Sequence, residues 1–144
     1  MLKRMLITAA CLPLLAAEAA PQQASLHLTF EGLRSQKGSI RLCLWRDSAG
    51  YPDCAHGAGA TKESVSAANP VIDITGLPPG DYAISAIHDE NDNKKLDKSF
   101  IGMPTEGVAF SNNAKISFGP PKFDKARFHV EGDTTQTLRM RYFL

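Results

Sequence analysis

The sequence predicts an all-β protein, an antiparallel β-sandwich of about seven strands, and three observations carry that expectation. Short stretches of strict apolar/polar alternation recur along the chain, and Gly, Pro and Asn cluster between them. Beyond the first nineteen residues no stretch keeps a helical period.

SLHLTFE (25–31) sets Leu26, Leu28 and Phe30 on one face and His27, Thr29 and Glu31 on the other, as a half-buried strand does. GLRSQKG (32–38) is a turn, and SIRLCLWR (39–46) alternates again with Ile40, Leu42 and Leu44 toward the core. The two strands are expected to form a hairpin, with Trp45, opposite Leu44 in the alternation, partly exposed. Residues 49–69 form a long loop with a short strand around Lys62 to Ser66. Strands at Val71 to Thr75 and Tyr82 to His88 flank GLPPGDY, where Pro78 and Pro79 fix φ, Gly80 takes positive φ and Tyr82 anchors the returning strand. From Asp89 to Pro121 turn residues dominate, and the one strand expected there is Ala114 to Phe118. Ala126 to Glu131 and Thr135 to Phe143 close the set; in the second, Leu138, Met140 and Tyr142 oppose Arg139, Arg141 and Phe143. The expected shape is immunoglobulin-like or transthyretin-like.

The chain opens with Lys3 and Arg4, an apolar run from Met5 to Ala17, and Ala17-Glu18-Ala19, the pattern of a signal peptide cut after Ala19. That run is shorter than the roughly 20 residues of a membrane-spanning helix, so no transmembrane segment is expected. Cys11 follows Thr8-Ala9-Ala10, lacks the leucine usual before a lipidated cysteine, and leaves with the signal. Residues 20–144 are then a single domain, periplasmic or secreted. Removing Lys3, Arg4 and Glu18 takes the formal charge from +1 to zero. With no basic stripe, nucleic acid is not an expected partner. Cys43 and Cys54 remain. In an oxidising compartment the pair favours a disulfide tying a strand to the loop after it, over a buried thiol or a metal pair with unusually wide spacing.

GLPPGDYAISAIHDENDNKKLD, FIGMPTEGVAFSNNA and GPPKFDKARF together carry a resemblance. The chain resembles the exported bacterial family catalogued as domain of unknown function 2141, whose pattern is similar to HDxNxNxxLD, GxPxEGxxFSNNA and GPPxFxxAxF. The resemblance spans essentially all of residues 20–144 and implies a periplasmic or secreted sandwich of prealbumin-like type, without implying an activity. The family's loop usually has the form DENGNGKLD, and this chain has Asp92 and Lys94 at the two glycine positions.

HDENDNKKLD (88–97) invites a cation reading. Hard cations such as Ca²⁺ take oxygen ligands at alternate loop positions, and Asp89, Asn91, Asn93, the Lys95 carbonyl and Asp97 fall in that order, with Glu106 able to fold back and complete the shell. Against it stand Phe100 where a bidentate glutamate is usual and Lys94 where a glycine is usual. The competing reading is a wide turn capped by Asp and Asn side chains. A second constellation, Phe110, Ser111, Asn112 and Asn113, reads either as a ligand-facing loop or as a core plug followed by a left-handed turn, with Gly119-Pro120-Pro121 a rigid corner that accommodates a cis bond. Trp45, Tyr51 and Phe110 are the aromatic candidates for ligand contact. His27 and His129 fall on solvent or edge faces, and His88 reads either as a buried, hydrogen-bonded imidazole or as one lining the base of the acidic loop. No familiar catalytic motif is present. The expected function is a non-enzymatic envelope module that binds a polar ligand, a surface polymer or an envelope protein, with a structural Ca²⁺. The rival is a glycan- or peptide-acting hydrolase or lyase using Glu106 and Asp97 as acid and base.

Overall fold

In the computed structural model, Ala20 and residues 22–144 are described; the expected signal peptide over residues 1–19, with Cys11, lies outside them. Eight strands build the domain: β1 (Ala24–Glu31), β2 (Ser39–Trp45), β3 (Thr61–Ser66), β4 (Val71–Leu77), β5 (Gly80–Asp89), β6 (Gly107–Phe110), β7 (Phe128–Val130) and β8 (Asp133–Arg139). One sheet has the order β4-β1-β8, the other β3-β2-β5-β6, with β7 pairing the start of β5. All named pairs are antiparallel except β1–β8, which run parallel. The expected all-β sandwich is thus present. No helix among the described residues is long and apolar enough to cross a membrane.

Alternation decides which face of each strand is buried. Leu26, Leu28 and Phe30 of β1 meet Ile40, Leu42 and Leu44 of β2 and Ile84 and Ala86 of β5 in one core between the sheets, closed by Ile74, Leu138 and Met140. Each fully buried Leu, Ile or Phe contributes roughly 1.5–3 kcal/mol, which makes this layer the main stabilising element. The Tyr82 hydroxyl donates to the Pro78 carbonyl at 2.7 Å and pins the β4–β5 corner, while the Arg46 guanidinium lies 5.1 Å from the ring centre.

Four expectations are corrected. First, β1 and β2 are not a hairpin: β1 pairs β4 and β8, and β2 pairs β3 and β5, so residues 32–38 cross from one sheet to the other. Two half-buried strands joined by a short link can lie side by side or face to face, and both arrangements show the same alternation. Second, residues 114–118 form no strand; the strand of that region is β6, GVAF, buried at all four positions. Covered on both faces, it has no polar alternation to reveal it. Third, the Ala126 to Glu131 stretch begins as a one-turn helix, α1 (Phe123–Ala126), and only Phe128–Val130 is strand. Fourth, Trp45 is buried, its indole N–H donating to Ser85 Oγ at 2.9 Å.

The outer face of the second sheet is covered too. Tyr51 is the hub, edge-on to Trp45, Phe110 and Phe123 at centroid distances of 5.9, 6.3 and 5.7 Å. Trp45, Tyr51 and Phe110 therefore pack against one another beneath the long loops instead of forming an exposed aromatic surface. Cys43 of β2 is disulfide-bonded to Cys54 in the following loop, with Cα atoms 5.7 Å apart. Closing so short a loop is worth roughly 2–3 kcal/mol. The cis proline bond among the described residues is Tyr51–Pro52, not one at Gly119-Pro120-Pro121.

Candidate functional site

The segment after β5 is ordered by its carboxylates. Asp89 is fully buried, and its oxygens accept from Arg41 Nε at 2.9 Å, from the Asn93 amide at 3.0 Å and from the Lys94 amide at 2.8 Å. Asp97 accepts from the side-chain amides of Asn91 at 2.7 Å and Asn93 at 2.9 Å. Glu106 does fold back: Oε1 accepts the Glu90 amide and Oε2 the Asp97 amide, both at 3.0 Å. Lys95 donates its amide to Asn93 Oδ1 at 3.1 Å. All six oxygens of Asp89, Asp97 and Glu106 are thus met by N–H donors. The loop is closed on itself by its own hydrogen bonds, with each of these carboxylate oxygens accepting at least one of them. Among the described residues no group of three or more His, Cys, Asp or Glu is arranged to hold a metal ion.

Asp92 and Lys94 adopt φ of 56° and 68°. These are the two positions at which the resembled loop carries glycine, and the left-handed backbone explains why glycine suits them. Gly38 shows the matching constraint across the loop. A Cβ there would stand 2.0 Å from the Asp89 carbonyl oxygen, so the β1–β2 crossing can press against the end of β5 only with hydrogen at that position.

Electrostatics separates the carboxylates. Burial, with help from nearby Asp97 and Asp89, raises the pKa of Glu106, against the two backbone amides that lower it. Hydrogen bonds from Asn93 and Asn91 lower that of Asp97. Glu90 is lowered chiefly by Arg34, whose Nε lies 3.0 Å from its carboxylate and which also donates to the Thr105 and Leu144 carbonyls. His88 is buried, with Nδ1 2.7 Å from the Tyr142 hydroxyl and Nε2 2.8 Å from the Lys37 carbonyl, as expected of a structural imidazole.

The SNN segment is equally occupied. Ser111 is fully buried; its Oγ donates to the Ala126 carbonyl and accepts the Ile84 amide, continuing the β5 ladder where β6 ends. Asn112 and Asn113 hold φ of 58° and 47°. Asn112 Nδ2 donates to the Arg127 carbonyl at 2.7 Å, and Asn113 brackets β8 by donating to the Thr137 carbonyl at 2.9 Å and accepting the Arg139 amide at 2.8 Å. The side chains of residues 111–113 join β6, α1 and β8. Phe110, 7 % exposed, packs in the outer cluster and contributes to the floor of a cleft.

That cleft, about 960 Å³, lies on the outer face of the second sheet between the disulfide-tied loop and residues 94–120. Ile87, Val108 and Phe110 line its floor, and Ile101, Met103, Phe118 and Phe143 stand at its sides with their side chains open to solvent. Its volume falls within the usual range for small-molecule sites, roughly 300–1,000 Å³. Lys62, Lys94, Lys95 and Lys98 also line it, whereas Asp97 and Glu106 do not. The sequence carries one local signal for this site, the apolar FIGMP (100–104) inside an otherwise polar loop.

No curated protein and no solved structure matches the chain. The family model for an uncharacterized protein conserved in bacteria, DUF2141, matches residues 28–138, a span that runs from β1 to β8 and takes in the acidic loop, the SNN turn and most of the cleft. The chain belongs to the DUF2141 family.

Proposed function

We propose that this protein is an exported, non-enzymatic binding module that takes its ligand in the outer cleft. The observation that carries the reading is the contrast between that open apolar cleft, with Ile101, Met103, Phe118 and Phe143 exposed along it, and a polar loop whose carboxylates are all engaged. Contiguous exposed apolar side chains around a concavity mark binding surfaces. Export is supported by the leader-like residues 1–19 and by the Cys43–Cys54 disulfide, a bond typical of oxidising compartments. The hydrolase alternative finds little support, because Glu106 is spent on two backbone amides and neither it nor Asp97 lines the cleft.

Two experiments test the proposal. Expression of the full chain with its leader, followed by cell fractionation and N-terminal sequencing, should give an exported product beginning at Ala20; a cytoplasmic, uncleaved product would overturn export. The purified exported protein should then enhance the fluorescence of an environment-sensitive apolar dye, and Ile101→Ser/Phe118→Ser should abolish the enhancement while leaving the far-ultraviolet circular dichroism unchanged. Undiminished dye binding by that variant would remove the cleft from the reading.

Calcium forms a second reading, favoured by the convergence of Asp89, Asp97 and Glu106, whose mutual repulsion a cation would relieve. In our reading hydrogen bonds hold the loop and Ca²⁺ is not required. A thermal unfolding series with CaCl₂, with MgCl₂ as control, decides between the two. A midpoint unmoved by Ca²⁺ supports the hydrogen-bonded loop, and a Ca²⁺-selective rise that Asp97→Ala removes establishes the ion site.

A further inference from the structure

Building on the cleft reading, we infer that the ligand is a single-chain anionic amphiphile, with its hydrocarbon tail along the apolar floor and its carboxylate beside the lysines. Three independent features lead there.

The first is polarity. The floor and walls supplied by Ile87, Val108, Phe110, Ile101 and Phe118 offer the occupant little hydrogen bonding, so the buried part of the ligand must itself be apolar. A polysaccharide or a polar peptide would leave its own donors and acceptors unmet there.

The second is charge. Five cationic side chains line the cleft: Arg41, Lys62, Lys94, Lys95 and Lys98. Arg41 is committed to Asp89, but none of the four lysines takes part in an ion pair among the described residues. The lining carboxylates among the described residues are Asp53, hydrogen-bonded to His56 at 2.9 Å, and Glu63, so the four lysines outnumber them two to one. A domain with no net charge over residues 20–144 thus gathers uncompensated positive charge at one apolar opening. Low-dielectric walls focus such a field on an incoming anion.

The third is strain. Lys94 lines the cleft from a left-handed backbone position, φ 68°, where a side chain costs conformational energy that glycine would avoid. Its amide donates to Asp89, so the backbone is fixed by the loop's hydrogen bonds, while the side chain makes no hydrogen bond or ion pair among the described residues. A cation kept at a strained position without a structural partner fits a role toward something outside the chain.

The test uses the full-length exported protein at low ionic strength, with ¹H–¹⁵N correlation spectra as readout and ligands kept below their critical micelle concentrations. Dodecanoate should shift the amides of Ile87, Leu96, Val108 and Met103, and butanoate should not. Dodecyl maltoside should bind at least tenfold more weakly than dodecanoate. Lys94→Gln/Lys95→Gln/Lys98→Gln, three exposed changes, should weaken dodecanoate at least tenfold and leave the maltoside unchanged, and added salt should do the same to the parent protein. Equal binding of the two dodecyl compounds would overturn the anionic assignment while leaving the cleft as a binding site. Failure of both to bind would overturn the cleft reading itself. Binding to anionic phospholipid vesicles without any response to monomeric dodecanoate would overturn the single-chain ligand and make the patch a membrane-docking surface.

Discussion

The acidic loop with the SNN turn and the apolar cleft beside them are built from neighbouring stretches of chain, yet they treat their chemical groups in opposite ways. In the first region every carboxylate and every side-chain amide has an internal partner. Asp89 holds Arg41 and two amides, Glu106 holds two more, and Ser111 and Asn113 complete backbone ladders. In the second, Ile101 and Phe118 face solvent and the lysines have no ion-pair partners among the described residues. Buried polar groups must be satisfied for the domain to fold, so their abundance in a loop signals architecture as readily as chemistry. Groups left unsatisfied at a surface are under no such demand and remain available for a ligand.

The two regions should differ most in their response to substitution at Asp89. Asp89→Ala should cost about 3 kcal/mol in urea unfolding, because it removes a fully buried carboxylate that joins Arg41 to two backbone amides. Ile101→Ser/Phe118→Ser, at exposed sites, should stay within about 0.5 kcal/mol of the parent. Equal losses for the two variants would erase the distinction between scaffold and site.

Ser111→Ala comes next, at about 1–2 kcal/mol, since the Ile84 amide and the Ala126 carbonyl both lose a buried partner. The same urea midpoint reads it, and a dye-binding assay should show the cleft intact. Lost dye binding with unchanged stability would instead make Ser111 part of the site.

Smaller changes distinguish backbone from side chain at the junction of the regions. Lys94→Gly should stabilise the fold by about 0.5 kcal/mol by relieving the left-handed strain, net of the entropy glycine adds to the unfolded chain. It should also weaken dodecanoate binding, which separates the two roles of one residue. Asp92→Gly should gain less, because aspartate tolerates that conformation and Asp92 accepts a hydrogen bond from Ser39 Oγ at 2.7 Å.

The mildest effect concerns acid. The Arg34 guanidinium depresses the folded-state pKa of Glu90, so the pair's stabilisation is present above the ordinary glutamate pKa and is lost as pH falls through the lower folded value. Glu90→Gln should therefore make the acid limb of the thermal-midpoint profile shallower, on the scale of a partly exposed ion pair. Glu106 has the opposite sign: its raised pKa means that ionisation is costly in the fold, and protonation relieves that cost on acidification. A steeper acid limb in Glu90→Gln would contradict the Arg34 assignment.

Alternation and turn chemistry carry the all-β class, the buried faces of β1 and β2 and the Tyr82 corner, and the cysteine count favours the Cys43–Cys54 pairing. Each of these is local: alternation marks a half-buried strand, Pro-Pro-Gly sets a turn, and two cysteines 11 residues apart are near enough along the chain to pair. The reach of Glu106 back to residues 90–97 was also legible, as a completing oxygen near an oxygen-rich loop. The remaining features depend on contacts between distant stretches of chain. Whether β1 pairs β2 or faces it across the core is a choice between sheets that identical alternation cannot encode. β6 had no pattern because it is covered on both faces, and Trp45 sits inside because the long loops fold over the outer sheet face. The candidate site was hidden for the same reason. Ile87, Leu96, Ile101, Val108, Phe118 and Phe143 come from several separate stretches, and they become one cleft only when the loops are laid across β5 and β6, since a cleft belongs to the assembled surface and has no local period.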